Sequence, residues 1–397
     1  MKETDPPKPG KLPAPTHLAI DTRAIHAGET PRYDGAIVTP IFQSAMFDAV
    51  DGEAYHDIRY IRLNNTPNHI ALQRKLMALE GGEAALVAAS GMAAISTCLL
   101  TLLAPGGHLL AQQSLYGGTH DLLTSEFPRL GIEHSFVDAS QPASWAAQLR
   151  PNTRAIYVET LTNPTLEVAD LVAVAQFAKA HGLLAVIDNT FASPINFRPI
   201  EHGYDLVLHS CTKYLNGHSD ITAGALVGRT ELVAEVRKRL NLYGGTLDPH
   251  ACFLLQRGMK TLAVRVRQQN ATALTLARHL EAHSKVRALH YPGLQRHPGH
   301  ARAVQLFDGF GGMLALELHG GVAAARACID ALQLVVHTVS LGGVESLVTL
   351  PALTTHNTLS EAERERSGIS PGIMRLSVGL EAADDLIADF EQALQHA

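Results

Sequence analysis

Cysteine is scarce in this 397-residue chain, and the four present, Cys98, Cys211, Cys252 and Cys328, lie far apart with no Cys-x-x-Cys pair. Such spacing excludes a disulfide framework and a thiolate zinc site, and it fits reduced, buried thiols in a cytoplasmic protein. An excess of positive charge is missing too. The 32 lysines and arginines stand against 38 acidic residues, for a net charge of −6, and the cations nowhere gather into a dense block. Binding of nucleic acid or of a membrane surface through a basic field is therefore excluded. Nor is there a long hydrophobic run. The most apolar stretch, 84–104, is broken by Ser90, Gly91, Ser96 and Thr97. It falls short of the roughly 20 apolar residues that cross a bilayer. Residues 1–16 are rich in Pro and Lys and lack an apolar core. They read as a loose tail, not a secretory signal.

Several chemical signatures are absent as well. There is no Gly-x-Gly-x-x-Gly turn, no phosphate loop of the Gly-x4-Gly-Lys-Ser/Thr type and no His-Glu-x-x-His, so the common nucleotide and zinc-protease routes are closed. Histidine is abundant, with 21 residues, but His297 and His300 fall in a Pro/Gly loop with no third ligand nearby. That pair reads as a surface feature, and no metal is expected.

What is present is an ordinary globular composition, 46% hydrophobic and 18% charged, over a length that exceeds a single domain of typical size. From Ala84 onward, short apolar runs alternate with helical patterns. The strand-like runs are 84–89, 108–111, 155–159, 183–188, 206–210 and 225–227, with helical stretches at 92–103 and 171–180. Strands apolar throughout and separated by helices predict a mostly parallel sheet covered on both faces. After Glu231 the pattern is mainly helical to about Leu289. Candidate strands at 313–318 and 347–350 follow, then an amphipathic helix at 385–395. The fold class is α/β: a large domain at 66–255 and a smaller C-terminal α+β domain at 256–397, preceded by an arm at 1–65.

Of nine lysines, Lys213 stands apart, directly after the apolar run Leu206-Val207-Leu208-His209-Ser210 and among the hydroxyls of Ser210 and Thr212. A lysine snorkelling from a strand end would look the same. Desolvation at the end of a core strand would instead lower the amine's pKa and make it a nucleophile and base. Two other segments favour the second reading. Asp188 closes the strand Leu184-Ala185-Val186-Ile187-Asp188, where it could cap a helix or hold a pyridine nitrogen protonated, as pyridoxal phosphate chemistry requires. Ser90-Gly91-Met92 opens a helix after the first strand, and free amides there make a phosphate site. Ligands of parallel-sheet proteins gather at the carboxyl ends of the strands, where all three segments fall.

With these segments in view, the chain from about His26 to its end resembles the pyridoxal phosphate-dependent enzymes of cysteine and methionine metabolism. The block Asp205–Asp220 carries the resemblance most specifically. It implies a fold-type I architecture with pyridoxal 5'-phosphate as cofactor. By this resemblance Lys213 forms an imine with the cofactor aldehyde and afterwards acts as acid and base. Asp188 is the partner of the pyridinium nitrogen, and Asn163 bonds the 3-hydroxyl. The Gly91 and Met92 amides with the Ser210 and Thr212 hydroxyls cradle the phosphate, and Tyr116 stacks on the ring and assists proton movement. Arg375 holds the substrate carboxylate, with Ser340 beside it and Glu345 near a distal amine. Tyr60 and Arg62 are expected to reach the phosphate of a neighbouring subunit, making a homodimer the minimal unit and a homotetramer the expected assembly. Where relatives follow Tyr-x-Arg with Asn-Pro-Thr, this chain reads Asn65-Thr66-Pro67-Asn68, and the inversion is expected to alter the local turn.

The implied activity is carbon–sulfur lyase chemistry: α,γ-elimination of cystathionine or a related thioether amino acid. The alternatives are γ-replacement on an O-acyl-homoserine, methionine γ-elimination and cystathionine β-elimination. Relatives specialised for methionine carry Cys two residues after the stacking tyrosine, where this chain has Gly118.

Overall fold

A computed structural model describes residues 17–29, 32–48, 58–357 and 360–397, so the tail at 1–16 lies outside the described residues. The first sheet has seven strands: β1 (Ala84–Ala88), β2 (His108–Gln112), β3 (Glu133–Val137), β4 (Thr153–Glu159), β5 (Leu184–Asp188), β6 (Leu206–Ser210) and β7 (Gly224–Gly228). Their spatial order is β1-β7-β6-β5-β4-β2-β3. Neighbours from β3 to β6 pair in parallel, and only β7 runs the other way, antiparallel to both β6 and β1. The expected mostly parallel sheet is present.

The longer helices are α1 (Pro67–Glu80), α2 (Gly91–Leu102), α3 (Leu171–His181), α4 (Thr230–Tyr243), α5 (Pro249–Met259), α6 (Leu262–Glu281), α7 (Gly321–Ala331) and α8 (Ala383–Leu394). Successive strand side chains face opposite ways. Val87, Ile156, Ile187 and Val207 therefore pack with α1, α3 and α5, while Leu86, Tyr157, Val186 and Leu208 pack with α2 and α4. Both faces are covered, which is why these strands read apolar throughout.

A second sheet holds β8 (Val286–His290), β9 (Met313–Leu318), β10 (Val336–His337), β11 (Leu347–Thr349) and β12 (Met374–Ser377), in the order β10-β11-β12-β9-β8. Helices α7 and α8 cover it through Ala325, Cys328, Leu386 and Phe390. The core changes hands within α6: Leu262 and Val266 belong to the first sheet's core, whereas Ala273, Leu276 and Leu280 belong to the second's. Residue 255 sits in α5, whose Cys252, Leu255 and Met259 all face the first core.

Three expectations need correction. The helical pattern does not run to Leu289, since β8 occupies 286–290 with its side chains half exposed at a sheet edge. The strand β3 went unread because it opens with the polar residues Glu133-His134-Ser135, as an edge strand permits. His297, read as a surface residue, is buried, and its Nδ1 accepts the Gly299 N–H at 3.1 Å. Elsewhere the inverted Thr66-Pro67 opens α1 with proline at its first position, where a missing N–H costs nothing. All four cysteines are buried and unpaired. Among the described residues, no helix is long and apolar enough to cross a membrane.

Two close approaches fix the turn after β6. Gly217 has φ +73°, and a Cβ there would fall 2.0 Å from the Arg265 guanidinium. Arg265, buried on α6, donates to the carbonyls of Tyr214 (2.8 Å), Leu215 (3.4 Å) and Gly258 (2.9 Å). Burial lowers its pKa to about 10. Replacing it by leucine strands three buried carbonyls, so Arg265→Leu is expected to lose about 2–4 kcal/mol of stability. Urea denaturation measures this, and a loss below about 1 kcal/mol would show the clasp to be dispensable.

Candidate active site

Strand β6 delivers Lys213. The chain turns at once after Ser210, with the Lys213 N–H donating to the Ser210 carbonyl at 3.2 Å. The side chain enters a cavity of about 590 Å³ at the carboxyl ends of β1 and β4–β6. Its Nζ donates to Ser340 Oγ at 2.7 Å. Burial lowers the Lys213 pKa to about 8, and the charge of Arg375 adds to the shift. This amine does not snorkel to solvent.

Arg375 comes from β12 of the second sheet and is 3% exposed. Its guanidinium donates to Asn163 Oδ1 (3.2 Å) and to the Ser340 carbonyl (2.9 Å), both neutral acceptors. Its Nε is buried without a partner. Burial lowers its pKa to about 10. Ser340 thus touches both cations, by its hydroxyl and by its carbonyl, from a backbone with φ +82°. A buried fork held by neutral acceptors and facing an open cavity is a receptor for an anion.

The other walls come from the large sheet. Asp188, at the end of β5, accepts the Thr190 N–H (2.9 Å) and hydroxyl (2.5 Å) on Oδ1. Burial pushes its pKa up, and the Thr190 donors pull it back. At the start of α2, Ser90 caps the helix by accepting the Ala93 N–H at 3.0 Å. The Gly91 and Met92 amides are the helix's first and have no acceptor a turn earlier. A Cβ on Gly91 would lie 2.9 Å from the Ser210 Cβ, so only glycine lets the helix start close on β6. The Thr212 hydroxyl lines the same cavity but is already engaged with Ala223, accepting its N–H at 3.1 Å.

The structure therefore brings together Lys213, Asp188, Gly91, Met92, Ser210 and Thr212, and with them Tyr116, Asn163, Ser340 and Arg375. It does not bring Tyr60, Arg62 or Glu345 to this wall. Arg62 donates to the Asn241 carbonyl at 3.0 Å, with its guanidinium 5.7 Å from the centre of the Tyr60 ring. Glu345 is exposed and accepts from Ser219 Oγ at 3.3 Å. Sequence reading passed over Glu159, Thr190, Phe191 and Thr355, which also line the cavity. Glu159 carried a usable signal, an acidic residue closing an apolar strand as Asp188 does.

No group of three His, Cys, Asp or Glu side chains among the described residues could hold a metal ion. A Gly-x-Ser-x-Gly string does occur at 368–372, but its Ser370 lies in a turn before β12 and donates to Glu317 Oε2 at 2.6 Å. It is no exposed nucleophile at a strand-to-helix corner.

A desolvated amine at the carboxyl edge of a mostly parallel sheet, faced by an arginine from a second sheet, makes this cavity the candidate site of an α/β enzyme. The chain belongs to the family of Cys/Met metabolism PLP-dependent enzymes, whose model matches residues 21–395. It is 43% identical over 386 residues to an L-methionine γ-lyase of Pseudomonas putida, covering 94% of this chain and 96% of that protein. It is 42% identical over 378 residues to a cystathionine β-lyase of Bacillus subtilis, covering 95% and 96%. Among solved structures, a cystathionine γ-lyase from Lactobacillus plantarum complexed with L-serine superposes with a TM-score of 0.91 at 37% identity, over 96% of this chain and 99% of that one. All three are named as lyases, and the expected PLP-dependent lyase of this family is what the comparisons support.

The Lys213 environment has a direct test. In cofactor-free protein, acylation of Lys213 read by mass spectrometry should reach half its maximal rate near pH 8, whereas exposed lysines titrate near about 10.4. Arg375→Leu should move that midpoint upward. A midpoint unchanged by the variant would show that the arginine's charge does not reach the amine.

Proposed function

We propose that the chain binds pyridoxal 5'-phosphate at Lys213 and acts as a carbon–sulfur lyase. Its reaction is α,γ-elimination of cystathionine or a related thioether amino acid to a 2-oxo acid, ammonia and a thiol. The observation that carries the reading is the convergence of Lys213, Ser340 and Arg375 from two sheets on one cavity. The cofactor fits the residues present. The buried, partnerless Arg375 Nε shares the cavity with an amine lowered to about 8, and the Gly91 start leaves no room for a side chain.

When bound, pyridoxal phosphate supplies an aldehyde that condenses with amines and a ring that accepts electrons from Cα. The Gly91 and Met92 amides with the Ser210 and Thr212 hydroxyls would hold its phosphate. Asp188 would keep the ring nitrogen protonated, Asn163 would bond the 3-hydroxyl and Tyr116 would stack on the ring. Arg375 binds the substrate α-carboxylate with two parallel bonds, which orients the Cα–H bond. Lys213 Nζ, freed to act as a base, takes the Cα proton and redelivers it. Its lowered pKa leaves much of it neutral near pH 8, which suits both steps. Ser340 Oγ, 2.7 Å away, accepts from the amine and aims it.

Tyr60 and Arg62 stand off this cavity, beside the end of α4, where Leu242 and Tyr243 are 80% and 58% exposed. We read this as a face toward a second copy, with Tyr60 and Arg62 reaching its phosphate, so that a homodimer is the minimal unit and a homotetramer the expected assembly. A cytoplasmic location accords with four unpaired thiols.

Among the possible substrates, one feature speaks against methionine. The Tyr116 ring lies over Gly118, so a Cβ there would fall 2.7 Å from Tyr116 Cε1. A side chain at 118 and this placement of Tyr116 exclude each other.

A product screen decides the reaction. Cystathionine should yield 2-oxobutanoate and ammonia, and Lys213→Ala should lower the rate by about three orders of magnitude. Cystathionine formation from an O-acyl-homoserine plus cysteine, with no turnover of cystathionine, would replace the elimination by γ-replacement. Gly118→Ala should displace the Tyr116 ring and lower kcat by about tenfold. An unchanged kcat would detach Tyr116 from the chemistry.

A further inference from the structure

The cavity wall holds a second buried carboxyl that the scheme above leaves idle. Glu159 closes β4 and pairs in register with Asp188 on β5, so the two side chains leave adjacent strands on the same face. Both are buried, and both line the cavity. Their surroundings differ. Asp188 receives two donors from Thr190 on one oxygen, whereas Glu159 Oε1 accepts only the Tyr116 backbone N–H, at 2.7 Å. Tyr157, two residues earlier on β4, is buried on the same face. Lys213 and Arg375 line the same cavity, Lys213 bonded to Ser340 and Arg375 to Asn163 and Ser340.

Two buried carboxyls that leave adjacent strands on one face resist ionising together, because desolvation and mutual repulsion oppose the second charge. The donors on Asp188 favour its anion. The proton then belongs on Glu159, whose pKa burial pushes well above the usual range, with the Asp188 charge pushing the same way. We propose that Glu159 is a positioning residue of this site. As a neutral acid it anchors the Tyr116 backbone while leaving Asp188 as the single carboxylate charge in that wall. The proposal rests on the cofactor reading given above. It adds that the ring stacker is held from behind by an uncharged acceptor, so that no second anion competes for the ring-nitrogen proton. Glutamine reproduces both properties, a carbonyl that accepts the Tyr116 N–H and no charge. Leucine reproduces only the lack of charge.

The experiment uses the full-length protein, with and without added pyridoxal phosphate. Infrared difference spectra of wild type against Glu159→Gln should show a protonated-carboxyl C=O band that the variant loses, with or without cofactor. Glu159→Gln should keep the wild-type visible absorption maximum, its pH dependence and a kcat within about threefold. Glu159→Leu should lower kcat by about tenfold or more through a misplaced Tyr116, with KM nearly unchanged. A carboxyl band that persists in Glu159→Gln overturns the neutral assignment. A glutamine variant as impaired as the leucine one, or with a shifted pH profile, overturns the anchoring role. Failure of the parent reading looks different: wild type itself would take up no pyridoxal phosphate and develop no visible band, while the infrared comparison would still report on Glu159.

Discussion

Two cations, the buried Arg375 and the half-buried Lys213, look into one cavity and meet at Ser340, and the rest of the site is arranged around that fact. Each charge costs desolvation energy, and each raises the cost of the other. The fold answers by different means for each. The lysine relieves the strain by giving up its proton more easily, at about pH 8. The arginine stays charged and is held by the Asn163 amide oxygen and the Ser340 carbonyl. Ser340 joins them, touching both groups through different atoms. A bound carboxylate would complete the arginine's fork, and an amine that loses its proton readily is ready to bond or to act as a base. The electrostatic frustration of the site and its chemical use are the same property.

This arrangement depends on the long helix α6. Its first turns pack against the large sheet and its last turns against the small one, so the strand that leads to Lys213 and the strand carrying Arg375 are held by one rigid element. Arg265, near the start of that helix, also clasps the turn after β6. Buried apolar packing thus sets the spacing of the two charges, and the loops contribute Ser340 and Asn163.

The large sheet was legible because its strands are covered on both faces, which leaves uninterrupted apolar runs between helices; β5 and β6 fell where the pattern put them. Two edge strands, β3 and β8, were not legible. Residues of β3 and β8 need one apolar face at most, and their polar faces resemble loop or helix. Within the site, Lys213 and Asp188 announced themselves as charged residues ending apolar strands. Glu159 did so too, and was passed over because its meaning depends on a neighbour 29 residues away that only sheet register supplies.

The linear order of residues by itself determined the family, the α/β class and the residue types of the chemistry, since these reside in local strings such as Ser210-Cys211-Thr212-Lys213 and in the period of apolar residues. Tertiary structure alone decided which of those residues meet. Arg375 is far along the chain from Asn163, yet they lie 3.2 Å apart, while Glu345, equally plausible on local pattern, falls outside the wall. The reason is physical: hydrophobic periodicity is a short-range signal that specifies elements, whereas the distance between two charges is set by how separate cores pack against a shared helix.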